Sequence, residues 1–223
     1  MALLFYFFQK NKVQQLQKKE NEKKQAKLEL KAIYAQLNPH FIFNALNSIQ
    51  GLINKSEVTQ ANMYLTEFSS LLRESLKNND KEFVPLNTEI KTLVAYLKLE
   101  QLRFRFNYSF TIDTHLNADA IEIPSLLLQP LVENAIKHGV ATLYESGLIN
   151  INIYKNNKDL VIDITDNGKG FDSTILSGGF GLKLTRERIQ LLNLSFKEQP
   201  ATLTIESNST KGTIVHLTFE NWL

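Results

Sequence analysis

The sequence predicts an α+β protein: a helical N-terminal part followed by a sandwich of helices on a sheet. Three observations carry this. Apolar residues step by three and four between Ile42 and Leu97. From Tyr108 on they alternate with polar residues in five separate runs. Helical patterns, at about 124 to 140 and 181 to 194, lie between those runs. Periods of 3.6 and of 2 mark helices and half-buried strands, and strands mixed with two helices and a terminal hairpin suit a layered sandwich.

The helical part comes first in the chain. Residues 9–37 are rich in Lys, Gln and Glu, with no Gly or Pro to break a helix. Val13, Leu16, Leu30 and Leu37 share one heptad register, but Glu20, Lys23 and Lys27 occupy its middle. A two-stranded coiled coil and a solvated single helix both fit this pattern. Further on, Ile42, Ala45, Ile49 and Leu52 form one stripe, and Val58, Ala61, Leu65, Phe68 and Leu72 a second. The polar break Asn54-Lys55-Ser56 between them makes a tight antiparallel hairpin. So narrow a hairpin needs a partner to cover its stripe, and dimerisation into a four-helix bundle supplies one. Another helix, with Ile90, Leu93 and Leu97 on one side, starts after Pro85.

The strand-type runs follow. Tyr108, Phe110 and Ile112 make one; Ile149, Ile151 and Ile153 another; Leu160, Ile162 and Ile164 follow after the Asn156-Asn157 turn. Leu203 and Ile205, then Val215, Leu217 and Phe219, complete the set.

Composition narrows the function. The chain has 223 residues, 43% of them hydrophobic, enough for one good core and a helical appendage. It has no cysteine, which excludes disulfides, a thiolate nucleophile and cysteine-ligated zinc, and fits a reducing compartment. Between Lys10 and Lys31 eight lysines face Glu20, Glu22 and Glu29, so this segment outweighs the net charge of +2 and the body is mildly acidic. A nucleic-acid partner would need basic residues clustered on the folded body, and none is expected. The apolar run Ala2 to Phe8 is far short of the ~20 residues that cross a bilayer. Followed at once by lysines, it reads as the end of a membrane helix with its cytoplasmic flank, or else as a signal-like start or a helix end packed on the body.

Four segments carry candidate chemistry. In the helical run Gln129 to Gly139, Leu128, Leu131, Ala135 and Ile136 form an apolar face, while Glu133, Asn134, Lys137 and His138 gather opposite. The Asn134 carboxamide oxygen suits Mg²⁺, although an ordinary amphipathic helix has a polar outer face too. Asp166-Asn167-Gly168-Lys169-Gly170 follows a strand directly. A strand-end acid with two glycines makes a wall where backbone can approach a flat ligand, and Asp166 suits an exocyclic amine such as adenine's. A plain Asp-Asn-Gly turn is the alternative. A second glycine cluster, Gly178-Gly179-Phe180-Gly181, precedes a helix whose N-terminal amides suit phosphate oxygens. It is no dinucleotide fingerprint, because Leu184 stands where the last glycine would be, and a Walker P-loop is absent throughout.

The fourth segment is Asn38-Pro39-His40-Phe41. On a helix at 100° per residue, His40 points away from the Ile42 and Ala45 stripe, beside Asn44 and Asn47. An exposed neutral imidazole is a competent nucleophile near pH 7, though a lone exposed histidine is often incidental. His115 falls in a loop and His216 faces outward from a strand. His138 is placed either to touch phosphate or simply by its helix.

NPHFIFNALN around His40, QPLVENAIKHG, DNGKG and GGFGLKLTRERIQLL together resemble the LytS/YehU-type sensor histidine kinases, in the family's order and over about residues 32–220. The resemblance implies a helical dimerisation hairpin followed by a Bergerat-type α/β sandwich that binds ATP, as in the GHKL ATPase superfamily. It implies His40 as phosphoacceptor, Asn134 as Mg²⁺ ligand and Asp166 as adenine contact. Gly168, Gly170, Gly179 and Gly181 would shape the nucleotide loop, with Lys137 and His138 also at the cofactor and residues 171–178 as a short lid. The implied partners are a second copy of the chain and a response regulator with a receiver domain, often of LytTR type. The implied location is the cytoplasmic face of the bacterial inner membrane.

The expected organisation is therefore 1–8 as a membrane-helix end, 9–37 as linker helix, 38–105 as dimerisation and phosphoacceptor region, and 106–223 as the catalytic domain. One departure matters. Many histidine kinases carry an acid directly after the phosphoacceptor, whereas Phe41 stands here. Glu133 and Asn44 are the candidates to assist as base. Two rival functions fit the same residues: a nucleotide-binding scaffold that transfers nothing, and a GHKL-type ATPase whose His40 segment only dimerises.

Overall fold

The computed structural model describes Lys12 and residues 39–78, 81–171, 180–208 and 212–223. The expected membrane-helix end and, Lys12 apart, the lysine-rich linker lie outside the described residues. Among those described, no helix is long and apolar enough to cross a membrane. The chain divides into two compact units, one up to Gly51 and one from Leu52 to Leu223.

Helix α1 spans Pro39–Asn54 and carries His40 in its first turn. Ala45 is buried, while Phe43 and Leu46 are exposed. The helix ends at the predicted polar break. Ser56 takes the left-handed conformation (φ 61°), and the amides of Ser56 and Glu57 donate back to the carbonyls of Ile53 and Leu52, both at 2.9 Å. That pattern closes a helix, here with serine where glycine is usual.

Helix α2, Val58–Asn78, packs on helix α3, Leu86–Phe104. Its buried residues are Ala61, Tyr64, Phe68 and Leu71, whereas Val58 and Leu65 are exposed. This corrects the expected stripe by part of a turn. The Tyr64 ring, fully buried, takes the place assigned to Leu65. α3 follows Pro85 as expected and buries Ile90, Leu93 and Leu97, together with the polar Glu89 and Glu100.

The sheet has five strands in the order β2-β4-β5-β7-β6: β2 is Asn107–Ile112, β4 Leu148–Asn156, β5 Asp159–Asp166, β6 Ala201–Asn208 and β7 Gly212–Phe219. β2 runs parallel to β4; the other neighbours are antiparallel. All five match the alternating runs. Two short strands escaped that pattern, β1 (Phe83–Pro85) and β3 (Glu122–Pro124), which pair with each other. Three residues are too few to display a period.

Helix α4, Gln129–Asn134, continues as one wide π turn, Ala135–Val140, and helix α5 spans Phe180–Ser195. Both pack on the sheet. The helix thus starts later than about 124, because Glu122–Pro124 is strand and Ser125–Leu128 a loop.

Cross-strand register explains where the site lies. Ile153, Ile162, Leu217 and Leu203 form one row, and Ile151, Ile164, Val215 and Ile205 the next. One step further along the same face stand Asp166 and Thr213, side by side on β5 and β7. Because strand side chains alternate, Asp166 shares the core-facing side of Ile164. It is buried to 5% exposure at the end of an apolar surface.

Candidate functional site

A pocket of about 510 Å³ opens between the π turn, the end of β5 and the β6–β7 hairpin. Asn134, Lys137, His138 and Asp166 are among its polar lining, with Lys169, Thr142 and Thr213; Leu182, Ile205 and Val215 make much of its apolar wall. Most of these came from separate sequence segments, and the fold brings them together.

Asp166 is the fixed point. One carboxylate oxygen accepts the Gly168 amide at 2.9 Å, and the Thr213 amide and hydroxyl also donate to the side chain. Burial raises its pKa from the usual carboxylate range, against the lowering by these hydrogen bonds. Glycines crowd around it. A Cβ on Gly139 would lie 2.6 Å from both Cγ and Oδ1 of Asp166, and one on Gly168 would strike the Gly139 backbone. Gly170 (φ 61°) lies against the Asn208 carbonyl, and Gly212 (φ 85°) against that of Asp166. Backbone at Gly139 and Gly168 therefore closes directly on the carboxylate, while Gly170 and Gly212 let the neighbouring main chains pack around the turn, which only glycine permits.

Asn167 has a different task. Its Oδ1 accepts the Leu148 amide at 2.7 Å, and its Nδ2 donates to the Ser146 carbonyl at 2.8 Å. It ties the Asp-Asn-Gly turn to the start of β4. Phe171, whose amide donates to Ser207 Oγ at 2.8 Å, anchors the far end of the same loop to the hairpin.

The π turn is marked by an amide–carbonyl bond from Ala141 to Ile136, at 2.8 Å. Its widened backbone carries Gly139 up to Asp166, and such turns recur at functional sites. The apolar face expected for this helix is buried: Leu128, Leu131, Ala135 and Ile136 are all in the core. On the opposite side Asn134 presents a buried Nδ2 that finds no hydrogen-bond partner among the described residues. Since the two ends of an amide are interchangeable by a flip, this is a buried polar head facing a pocket with its capacity unspent. Such a group fits a hard cation or a phosphate-bound water.

Lys137 lines the pocket and also holds Glu133 through a 3.0 Å ion pair. Glu133 is not among the lining residues; besides Lys137 it meets Gln129. Gly181 stands beside Pro130 and Asn134, where an added Cβ would meet only ordinary contact distances. Gly179 and most of the expected lid fall outside the described residues. His40 lies on the α1 backbone, and its side chain is outside the described set. His115 pairs with Asp113, and His216 with Asp163. Among the described residues no cluster of His, Asp and Glu could hold a metal alone, so any Mg²⁺ here would draw further ligand oxygens from water or substrate.

Gly139, Gly212 and Thr213 were missed as site residues. The signal for Gly139 was present, as the last residue of the QPLVENAIKHG run, but it was given no role there. Gly212 and Thr213 lie 46 and more residues from Asp166 and meet it only through strand pairing.

Behind the pocket helix lies a buried carboxylate, Glu100, whose Oε2 has no hydrogen-bond partner among the described residues. Its nearest cation, Arg103, stands at 3.7 Å. Burial raises its pKa to about 7, with Arg103 and Lys137 lowering it and Glu133 raising it. The folded chain therefore holds a proton that the unfolded chain, with an ordinary value of 4.5, releases. This group's contribution to stability falls as pH rises from about 4.5 to about 7, by about 3 kcal/mol in all. Glu100→Gln should flatten that decline. Urea unfolding at pH 5 and pH 8 checks it: the variant gains on the parent at pH 8, and identical losses in the two proteins would contradict it.

Comparison with known proteins agrees with this geometry. Residues 28–108 match the family model described as histidine kinase, and residues 119–222 match that of the histidine kinase-, DNA gyrase B- and HSP90-like ATPases. The chain is 35% identical over 162 residues to the sensor histidine kinase BtsS of Escherichia coli K12, covering 73% of the chain and 28% of that protein. It is 33% identical over 197 residues to the sensor protein LytS of Bacillus subtilis, covering 84% of the chain and 33% of that protein. With the sensor histidine kinase YesM of Bacillus subtilis it shares 36% over 194 residues, covering 85% and 33%. The chain thus spans about a third of the length of these curated relatives. Its fold is similar to that of the histidine kinase domain of the Erythrobacter litoralis EL346 blue-light activated histidine kinase, at a TM-score of 0.50, 18% identity, 87% coverage of the chain and 95% of that domain.

Proposed function

We propose, from the premise that the chain belongs to the LytS-type sensor histidine kinases, that it transfers the γ-phosphoryl group of ATP to its own His40. The observation that carries this is the pocket. Within the ATPase module, a buried acid hemmed by glycines stands across from a buried amide with unspent capacity.

The residues fit ATP at both ends. Asp166 accepts the exocyclic amine of adenine, while Leu182, Ile205 and Val215 cover the ring faces. Lys137 and His138 offset phosphate charge along the π turn, and Gly168, Gly170, Gly179 and Gly181 let backbone close on the nucleotide. Asn134 would offer its amide oxygen to Mg²⁺, which would supply positive charge to offset the charge that develops on the phosphates. His40 attacks phosphorus in line through a neutral ring nitrogen. A P–N bond forms as the P–O bond to the β-phosphate breaks, and ADP leaves. Phosphoryl transfer asks mainly for positioning and charge, so Phe41 in place of an acid is tolerable. Glu133, held by Lys137 and Gln129, and Asn44, one turn from His40 in sequence, are the candidates to assist.

In this reading residues 38–105 form the dimerisation and phosphoacceptor region and 106–223 the catalytic domain. Phe43 and Leu46 on α1, and Val58, Met63 and Leu65 on α2, leave apolar surface exposed. A second copy of the chain would cover it. The phosphoryl group then passes to a response regulator with a receiver domain, of LytTR type by the resemblance. In this reading the apolar run Ala2 to Phe8 with its lysine flank is the end of a membrane helix, and the chain works at the cytoplasmic face of the inner membrane.

Incubation with γ-labelled ATP and Mg²⁺ tests this. Label retained on the protein supports the kinase, free phosphate without retained label supports an ATPase cycle, and neither supports a binding scaffold.

A further inference from the structure

Glu89 and Arg188 take no part in the pocket, yet both are drawn to its root. Glu89, in the first turn of α3, is 4% exposed. Its Oε2 accepts the Leu126 amide at 2.9 Å and its Oε1 the Leu128 amide at 3.1 Å. From α5, Arg188 donates through Nη2 to the Ser125 carbonyl at 2.5 Å and through Nη1 to the Leu126 carbonyl at 3.2 Å. The anion thus holds the amides, and the cation the carbonyls, of one buried loop, Ser125–Leu128. Burial raises the Glu89 pKa, while the Leu128 and Leu126 amides and the Arg188 charge lower it, so peptide dipoles and the opposite charge across the loop offset its desolvation.

The loop is strained. Leu126 takes φ 54°, a left-handed conformation that a bulky residue adopts only when its surroundings impose it. Strained backbone of this kind clusters at functional sites, and this loop leads straight into α4 at Gln129. Asn134 lies at the end of α4, and Gly181 of α5 stands beside it. The loop's other end is tied to the segment before α3: the Ser125 amide donates to the Glu82 carbonyl at 3.1 Å, and Ser125 Oγ to that of Lys81 at 2.7 Å. A simple packing loop needs no such grip by a buried carboxylate and a half-buried guanidinium, whose desolvation is costly.

We propose that Glu89 and Arg188 are positioning residues for the nucleotide pocket: together they clamp the Ser125–Leu128 loop, fix the direction in which α4 leaves it, and so place Asn134. Because α2 packs on α3, the clamp also joins the helical region to the pocket. The inference rests on the ATP reading for its functional meaning.

The test uses the full chain with Arg188→Lys, which keeps the charge but lacks the fork that holds two carbonyls, and Glu89→Gln, which keeps the shape but not the charge. Hydrogen exchange without nucleotide is read first. The clamp predicts at least about tenfold faster exchange in residues 129–140, with β4 and β5 unchanged. ATP·Mg²⁺ affinity, measured where the variants are folded, should fall about tenfold or more. Folded variants with parental exchange in 129–140 overturn the proposal, and so does parental nucleotide affinity, however much the melting temperature drops. If both variants fail to fold, the pair is a staple of the whole domain and the narrower role is wrong. If the parent itself binds no ATP·Mg²⁺, the kinase reading fails, and the exchange pattern alone decides the clamp.

Discussion

Asn134→Ala should erase self-phosphorylation in the purified protein while leaving the fold intact. The side chain is surrounded by the pocket, its Nδ2 has no hydrogen-bond partner among the described residues, and the neighbouring Leu131, Val132 and Ala135 hold the helix in the core. Truncation therefore removes a ligand rather than a structural contact, and it relieves a buried polar group of its unmet need. Loss of one metal ligand costs several kcal/mol of transition-state stabilisation, on the order of a thousandfold or more in rate. Label incorporation measures it, with circular dichroism as the control for folding. Mixed dimers of Asn134→Ala and His40→Gln chains then tell transfer between chains, which restores label on the Asn134→Ala chain, from transfer within one. An Asn134→Ala protein that labels itself at the parental rate would remove Asn134 from the mechanism.

The second large effect belongs to Asp166. In Asp166→Asn the amide oxygen still accepts from Gly168, so the Asp-Asn-Gly turn should stay closed. The new NH₂, however, turns a donor toward either Thr213 or the adenine amine, both of which need an acceptor. A site built to pair a substrate amine discriminates steeply when its own polarity is reversed. Nucleotide affinity should fall by about a hundredfold or more, on the order of 3 kcal/mol, with little change in melting temperature. Calorimetric titration with ATP measures the first and thermal unfolding the second. Affinity unchanged within a factor of two would mean that adenine is not held by this carboxylate.

The sheet was legible because each of its five strands is long enough to display a period of two, from Tyr108-Ser109-Phe110 to Val215-His216-Leu217. The placement of Asp166 was legible too, as the next core-facing step after Ile164 followed by two glycines. What could not be read depends on pairings far apart in sequence. Gly139 must be glycine because a strand ending 27 residues later brings a carboxylate against it. The burial of Tyr64 in place of Leu65 follows from α3, whose surface decides which side of α2 is covered. Leu126 gives no local hint of a left-handed backbone, since leucine is normally found elsewhere; Glu89 and Arg188, 37 residues before it and 62 after, impose that conformation. Charges that grip a loop leave no periodic trace, so this pair was not visible in the sequence.

His40 is the point on which the account turns, and the chemistry of its bond is directly measurable. After reaction with γ-labelled ATP and Mg²⁺, the labelled protein is divided between acid and alkali. A phosphoramidate on imidazole loses its label in acid and keeps it in alkali, unlike a serine or threonine phosphoester. The parent should show that pattern and His40→Gln no label at all, although its untouched pocket should still bind ATP·Mg²⁺ with parental affinity. Label that persists on the His40→Gln chain, or that survives acid in the parent, would contradict it.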